Sequence, residues 1–308
     1  MSCFVIGGGG LVGGGTVGLS KSSCGRCSGG VRVSRSSGVR MKAEVTNGAS
    51  PVKKKPKKTI GGVIGIIWGI AVMLWAIILI VPMAILHPLV RWRDDTRRRV
   101  HDYISRWFFM VPMFAIGVRP RYIHRENLPP ADEAVVYVAN HQSYLDIFCF
   151  GFIGLHHKFV SKIEILRVPI IGTAMQMKGD VALRRGNRKS QLQTYRDMLN
   201  TIKNGNSLVI FPEGTRSETG KMRKFQSGAF KAAKATGAKV VPLTIVGTRE
   251  AMPNSALLPL RRHKIAVEVH PAIDPKNLTE EELSATARAA INSGLPEEYK
   301  DEISPAAA

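Results

Sequence analysis

Ala134-Val135-Val136-Tyr137-Val138-Ala139-Asn140-His141-Gln142-Ser143-Tyr144-Leu145-Asp146 passes from an unbroken apolar run into a polar turn. A short apolar run bounded by a turn reads as a buried strand. The pattern recurs about seventy residues later, where Ser207-Leu208-Val209-Ile210-Phe211 leads into Pro212-Glu213-Gly214-Thr215-Arg216-Ser217. Residues 191–203 and 225–236 have helical spacing, and 239–246 and 264–269 read as further strands. The stretch 280–299 reads as a polar, partly helical close. Strands alternating with helices predict an α/β domain, a central and mostly parallel sheet covered by helices, over residues 119–308.

The chain upstream has a different character. Residues 60–86 carry no charged side chain, and a bilayer span needs about 20 apolar residues. Residues 107–118 are apolar but too short to span alone, which suits an interfacial element with Trp107, Phe108 and Phe109 at headgroup level. Residues 60–118 are therefore expected to be membrane-anchoring helices. Basic residues crowd both ends of the first stretch: Lys53, Lys54, Lys55, Lys57 and Lys58 before it, and Arg91, Arg93, Arg97, Arg98 and Arg99 after it. The basic asymmetry that orients a spanning helix is missing, so both ends are candidates for the same side of the membrane. Gly61, Gly62, Gly65, Gly69 and Pro82 would help such a segment dip into one leaflet.

Residues 44–59 form a basic linker. Residues 1–43 hold six Lys/Arg and no acidic residue amid many Gly and Ser. That composition cannot bury enough apolar surface to fold and is that of an organelle transit peptide. The run Val39-Arg40-Met41-Lys42-Ala43 resembles a chloroplast processing site, so a plastid membrane is the expected location, with the endoplasmic reticulum as the alternative.

The net charge is +21, and the first 58 residues hold eleven Lys/Arg against the single acid Glu44. The charges flank an apolar segment and no nucleic-acid-binding motif is present, so the expected partner is an anionic membrane surface rather than nucleic acid. Of the four cysteines, Cys3, Cys24 and Cys27 lie in the leader and Cys149 stands alone, so no disulfide framework is expected. No metal-ligand spacing appears. His156-His157 reads as part of a solvated turn, and no metal is expected.

His141 and Asp146 are the minimum kit for an oriented general base. Residues five apart are rotated by roughly 140° in a regular helix, so the two can meet only if 140–143 is a turn and a helix begins near Tyr144. Asp146 would then accept the Nδ1 proton and leave Nε2 as the base. The alternative is that Ser143 or Asp146 merely caps a helix. Glu213, Gly214 and Arg216, at the end of the second strand, would suit a phosphate. No Gly-x-Ser-x-Gly elbow is present, which disfavours a serine hydrolase of that kind. Direct attack by a substrate hydroxyl is the simpler scheme.

Asn140-His141-x-Ser143-x-x-Asp146 followed by Phe211-Pro212-Glu213-Gly214-Thr215-Arg216-Ser217 resembles the glycerolipid acyltransferases, specifically the 1-acylglycerol-3-phosphate acyltransferases. Gly179-Asp180-Val181-Ala182-Leu183-Arg184-Arg185 and Val241-Pro242-Leu243 resemble the family's second and fourth blocks, in the same order. The resemblance covers roughly residues 60–270. It implies that His141 is the base and Asp146 its partner. It assigns glycerophosphate binding to Glu213, Gly214, Thr215 and Arg216, phosphate contact to Arg185 and more weakly to Lys162, and the acyl-donor site to Pro242. Arg184 is expected to be a solvated neighbour. The expected reaction moves a fatty acyl group from acyl-CoA or acyl carrier protein to the sn-2 hydroxyl of lysophosphatidate, without a cofactor or an acyl-enzyme. Glycerol-3-phosphate or another lysophospholipid is the alternative acceptor, and a non-catalytic membrane-anchored lipid-binding protein is the alternative from another class.

Overall fold

The structure, a computed structural model, describes residues 60–184, 186–254 and 260–300. The expected leader, the linker and Arg185 lie outside the described residues. In chain order the elements are α1 (Ile60–Arg93), α2 (Arg99–Ala115), β1 (Arg121–Ile123), β2 (Val136–Ala139), α3 (Leu145–Cys149), β3 (His157–Lys162), α4 (Ile163–Leu166), α5 (Ile171–Lys178), β4 (Val181–Leu183), α6 (Arg188–Lys203), β5 (Ser207–Ile210), α7 (Gly228–Thr236), β6 (Val240–Val246), α8 (Thr248–Ala251), β7 (Ala266–Val269) and α9 (Glu280–Ser293). Short 3-10 turns occupy Arg125–Asn127, Phe150–Phe152 and Glu297–Tyr299.

The strands form a sheet in the order β1-β7-β6-β2-β5-β3-β4. Every pairing is parallel except β6 with β7, so β7 and β1 run against the other five. β2 lies at the centre, and Val136, Tyr137, Val138 and Ala139 are all fully buried. A strand buried on both faces needs apolar residues at every position, and that is why this stretch does not alternate. Tyr137 and Ala139 join the core under α1 and α2. Val136 and Val138 join the core under α6, α7 and α9. The predicted α/β class is the observed one.

Local signals set several boundaries. Asn187 caps α6 by accepting from Ser190 N–H at 3.0 Å, and Thr279 and Glu282 form a reciprocal capping box on α9. The helix expected over 225–236 starts only at Gly228, because Gln226 N–H is tied to Pro212 O at 2.8 Å. His157 departs from the expected solvated turn: it opens β3 and is buried. Burial holds its imidazole neutral, lowering its pKa to about 3.

The apolar stretch 60–86 belongs to one continuous helix, α1, that passes through Pro82 and Pro88 to Arg93. It is long and apolar enough to cross a membrane. Trp68, Val72, Ala76, Met83 and Val90 form its buried stripe, while Ile67, Ile70, Ile78, Val81 and Ile85 are exposed. α2 returns beside it, with Trp68 Nε1–H donating to Pro112 O at 2.9 Å and Trp75 Nε1–H to Trp107 O at 3.1 Å. α2 is fixed to the domain by a buried ion pair between Asp102 and Lys158 of β3 at 2.8 Å. It also rests on Gly151, where any side-chain carbon would lie 2.7 Å from Phe109 Cβ.

Candidate active site

β2 and β5 are neighbours in register, Val138 pairing with Ile210, so their chains leave the same edge of the sheet side by side. The two sequence blocks are thereby brought together. Asn140 continues the ladder with its side chain: its amide donates to Ile245 O at 2.8 Å and accepts from Ile245 N–H at 2.7 Å. The polypeptide then turns, and α3 starts at Leu145. Ser143 Oγ accepts from Leu145 N–H and donates to Met252 O.

This turn allows His141 and Asp146 to meet. His141 Nδ1 donates to Asp146 Oδ2 at 2.8 Å. The same oxygen accepts the backbone N–H groups of Gln142 and Ser143 at 2.7 and 2.8 Å. Asp146 is fully buried, so it holds the imidazole in one tautomer rather than exchanging partners with water. The remaining ring nitrogen, Nε2, makes no hydrogen bond among the described residues. Phe211 stacks on the ring with centroids 4.1 Å apart, a contact the sequence did not single out although Phe211 lies in a quoted block.

The second block grips the first through its backbone. Glu213 Oε1 accepts from His141 N–H at 2.8 Å, and Ser217 N–H donates to His141 O at 2.7 Å. Glu213 Oε2 accepts from Arg223 N–H at 2.9 Å. The Glu213 carboxyl thus faces inward, 5% exposed, and burial raises its pKa to about 7 against the pull of these two N–H groups. Gln142 Nε2 reaches Gly220 O at 2.6 Å. Gly214 adopts φ 70, a conformation that costs a residue with a side chain but not glycine. Arg216 lies with its guanidinium carbon 3.7 Å from the centre of the Tyr144 ring. The sequence reading used Tyr144 only to mark the helix start, because it stands at an unspecified position of the first block.

The remaining expected residues lie apart. Lys162 ends β3 and pairs with Leu183; its ammonium has no partner among the described residues. Pro242 is buried inside β6 opposite Val138, and its carbonyl accepts from His270 N–H. Arg184 is not merely solvated, since it pairs with Asp197 of α6 at 2.9 Å. Cys149 is buried, and burial pushes its thiol well above the usual range. Among the described residues no group of three or more His, Cys, Asp or Glu side chains could hold a metal ion.

A histidine oriented by a buried carboxylate, beside a glycine turn and an arginine, has the geometry of a general base next to an anion-binding side chain. Residues 119–246 match the family model described as Acyltransferase. A 1-acyl-sn-glycerol-3-phosphate acyltransferase of Chlamydomonas reinhardtii is 37% identical over 73% of this chain and 68% of its own length. The chain belongs to the acyltransferase family. The chloroplastic 1-acyl-sn-glycerol-3-phosphate acyltransferases LPAT1 of Arabidopsis thaliana and BAT2 of Brassica napus are 36% and 35% identical, each over 76% of this chain and over 67% and 69% of their own lengths. The crystal structure of the 1-acyl-sn-glycerophosphate acyltransferase of Thermotoga maritima superposes with a TM-score of 0.57 at 24% identity, over 73% of this chain and 95% of that one. The two chains therefore share a fold.

Proposed function

We propose that this acyltransferase moves a fatty acyl group from an acyl-CoA or acyl carrier protein thioester to the sn-2 hydroxyl of lysophosphatidate, giving phosphatidate. The observation that carries the reading is the 2.8 Å bond from His141 Nδ1 to the buried Asp146 carboxylate. It leaves Nε2 as the base. In the proposed sequence the acceptor's phosphate is held by Arg216, a planar guanidinium suited to bidentate phosphate contact, with Arg185 and Lys162 as further cations. Nε2 removes the sn-2 proton, and Asp146 stabilises the imidazolium that forms. The alkoxide attacks the thioester carbonyl, and the tetrahedral oxyanion collapses. The thiolate leaves and takes the proton back from Nε2. No cofactor and no acyl-enzyme take part. Glu213 acts on His141 through its backbone, and Gly214 and Thr215 line the turn beside Arg216.

The lipid nature of acceptor and product makes a membrane the place of work. The chloroplastic names of the Arabidopsis and Brassica relatives and the acid-free leader support a plastid membrane.

The test compares wild type with His141→Ala for transfer from oleoyl-CoA and from palmitoyl carrier protein to lysophosphatidate in membranes. Wild type is expected to form phosphatidate, with the donor preference read directly. The variant is expected to lose at least about a hundredfold in rate, the scale of general-base catalysis. A wild type that acylates glycerol-3-phosphate but not lysophosphatidate would overturn the acceptor assignment.

A further inference from the structure

A groove of about 520 Å³ lies between α2 and β1, away from the His141 turn. That volume falls within the roughly 300–1,000 Å³ typical of small-ligand sites. Arg106, Arg119, Arg121 and Arg125 line it together with Met110 and Phe114, and no acidic side chain does. Two of the arginines are already fixed. Arg106 Nε–H donates to Gly151 O at 3.0 Å and Arg125 Nη2–H to Ile153 O at 3.0 Å, with Arg125 also resting over the Tyr122 ring at 5.1 Å. Backbone carbonyls orient these guanidiniums without neutralising them. Arg119 and Arg121 are exposed, and their guanidiniums have no partner among the described residues. Four uncompensated positive charges around one concavity suit an anion, and guanidinium geometry favours phosphate.

The surroundings narrow the anion further. Met110 and Phe114 lie one and two turns beyond Arg106 on one face of α2, which pairs with the apolar α1. Phe114 and Trp107 are exposed, a pattern of aromatic and basic side chains proper to the headgroup layer. Arg121 registers on Ala266, and Ala266 on Val246, the last residue of β6. Arg121 thus stands at the same edge of the sheet as His141 but three strands away, about 14 Å at the usual strand spacing.

We propose that this groove is a second phosphate site, distinct from the catalytic one, which holds the headgroup phosphate of an anionic membrane phospholipid and so seats the domain on the bilayer.

The test uses the full chain in neutral detergent, titrated with short-chain phosphatidylglycerol and, separately, short-chain phosphatidylcholine, with binding read by calorimetry. Wild type is expected to bind phosphatidylglycerol in preference to phosphatidylcholine. The pair Arg119→Gln and Arg121→Gln, exposed and with no guanidinium partner among the described residues, is expected to weaken that binding by about 30-fold, the effect of removing two interfacial charges. The pair Arg196→Gln and Lys203→Gln, exposed on α6 in the opposite layer, is expected to leave it unchanged. Equal losses in the two pairs would mean diffuse charge attraction and overturn the site. So would unaltered binding in the groove variant. Displacement of phosphatidylglycerol by coenzyme A or inorganic phosphate at comparable concentrations would overturn the lipid assignment and give the groove to a soluble phosphate.

Discussion

At the scale of single residues, the site is held by groups whose role is to fix others. Glu213 is the clearest case, because both carboxylate oxygens are spent on backbone N–H groups, His141 on one side and Arg223 on the other. Its pKa rises from 4.5 to about 7 on folding. The stability that comes with this raised value is therefore complete below pH 4.5 and lost as pH rises through about 7. Glu213→Gln should remove that dependence. Thermal unfolding at pH 4.5 and 7 should show the wild type losing, relative to the variant, on the order of 3 kcal/mol across the window. His157 contributes with the opposite sign: its pKa is depressed to about 3, so its share is present above its ordinary value and fades as pH falls. Comparing variant with wild type at each pH cancels that background. Arg216 poses a different question, because it rests on Tyr144 with no carboxylate partner among the described residues. Arg216→Lys keeps the charge but loses the planar stack and the bidentate fork. The KM for lysophosphatidate should rise by roughly tenfold, the scale of one charge-assisted hydrogen bond, with a smaller change in kcat. Steady-state kinetics over acceptor concentration separate the two. The parts of the site readable in sequence were those on a single stretch of chain. The spacing of His141 and Asp146 already required a turn. Residues whose work depends on a partner far along the chain, such as Phe211 against His141 or Tyr144 against Arg216, gave no such signal.

At the scale of elements, the strands were legible because β2, β5 and β6 are buried on both faces and so almost wholly apolar, Ser207 and Thr244 being the polar exceptions in β5 and β6. The attachment of the helical hairpin was not. Lys158 follows two histidines in what reads as a polar turn, yet it is 1% exposed and joined to Asp102 at 2.8 Å, with a second bond to Arg97 O. A buried cation is tolerated only when paired, and nothing local to residue 158 announces a partner 56 positions upstream. Lys158→Met would leave the Asp102 carboxylate buried with only the longer contact to His156 Nδ1 at 3.6 Å. It should destabilise the chain by about 3–5 kcal/mol. The double replacement Lys158→Met with Asp102→Leu should recover most of that loss, since no charge is left behind. Chemical unfolding of these two variants and of Asp102→Leu alone, beside the wild type in one detergent, gives the coupling. If the single and double variants are equally unstable, the pair is not what fixes α2 to β3.

At the scale of the whole molecule, the question is how a helix of 34 residues, about 51 Å at 1.5 Å per residue, sits in a hydrocarbon layer of about 30 Å. Its first turn touches the domain, where Leu260 N–H donates to Gly61 O at 2.9 Å. Just beyond its last turn the chain touches the domain again: Asn206 Nδ2 donates to Thr96 O, and Arg98 donates to the carbonyls of Gln176 and Met177. One stripe of α1 packs against the domain between these points, with Trp68, Val72 and Ala76 buried. A helix tied at both ends to one globular unit cannot pass that unit's full width through a bilayer and leave the domain on one side. The expected placement is therefore along the surface, with the exposed Ile67, Ile70, Ile78 and Val81 directed to the acyl region. The basic residues at both of its ends, which leave no charge asymmetry across the segment, fit this placement. Single cysteines at Gly61→Cys and Asp95→Cys, in sealed vesicles with the catalytic domain outside, should both react with a membrane-impermeant maleimide. Cys149 is buried and serves as the unreactive reference once Cys3, Cys24 and Cys27 are replaced. A spanning helix would protect one of the two engineered positions until the vesicles are opened, and that result would overturn the in-plane placement.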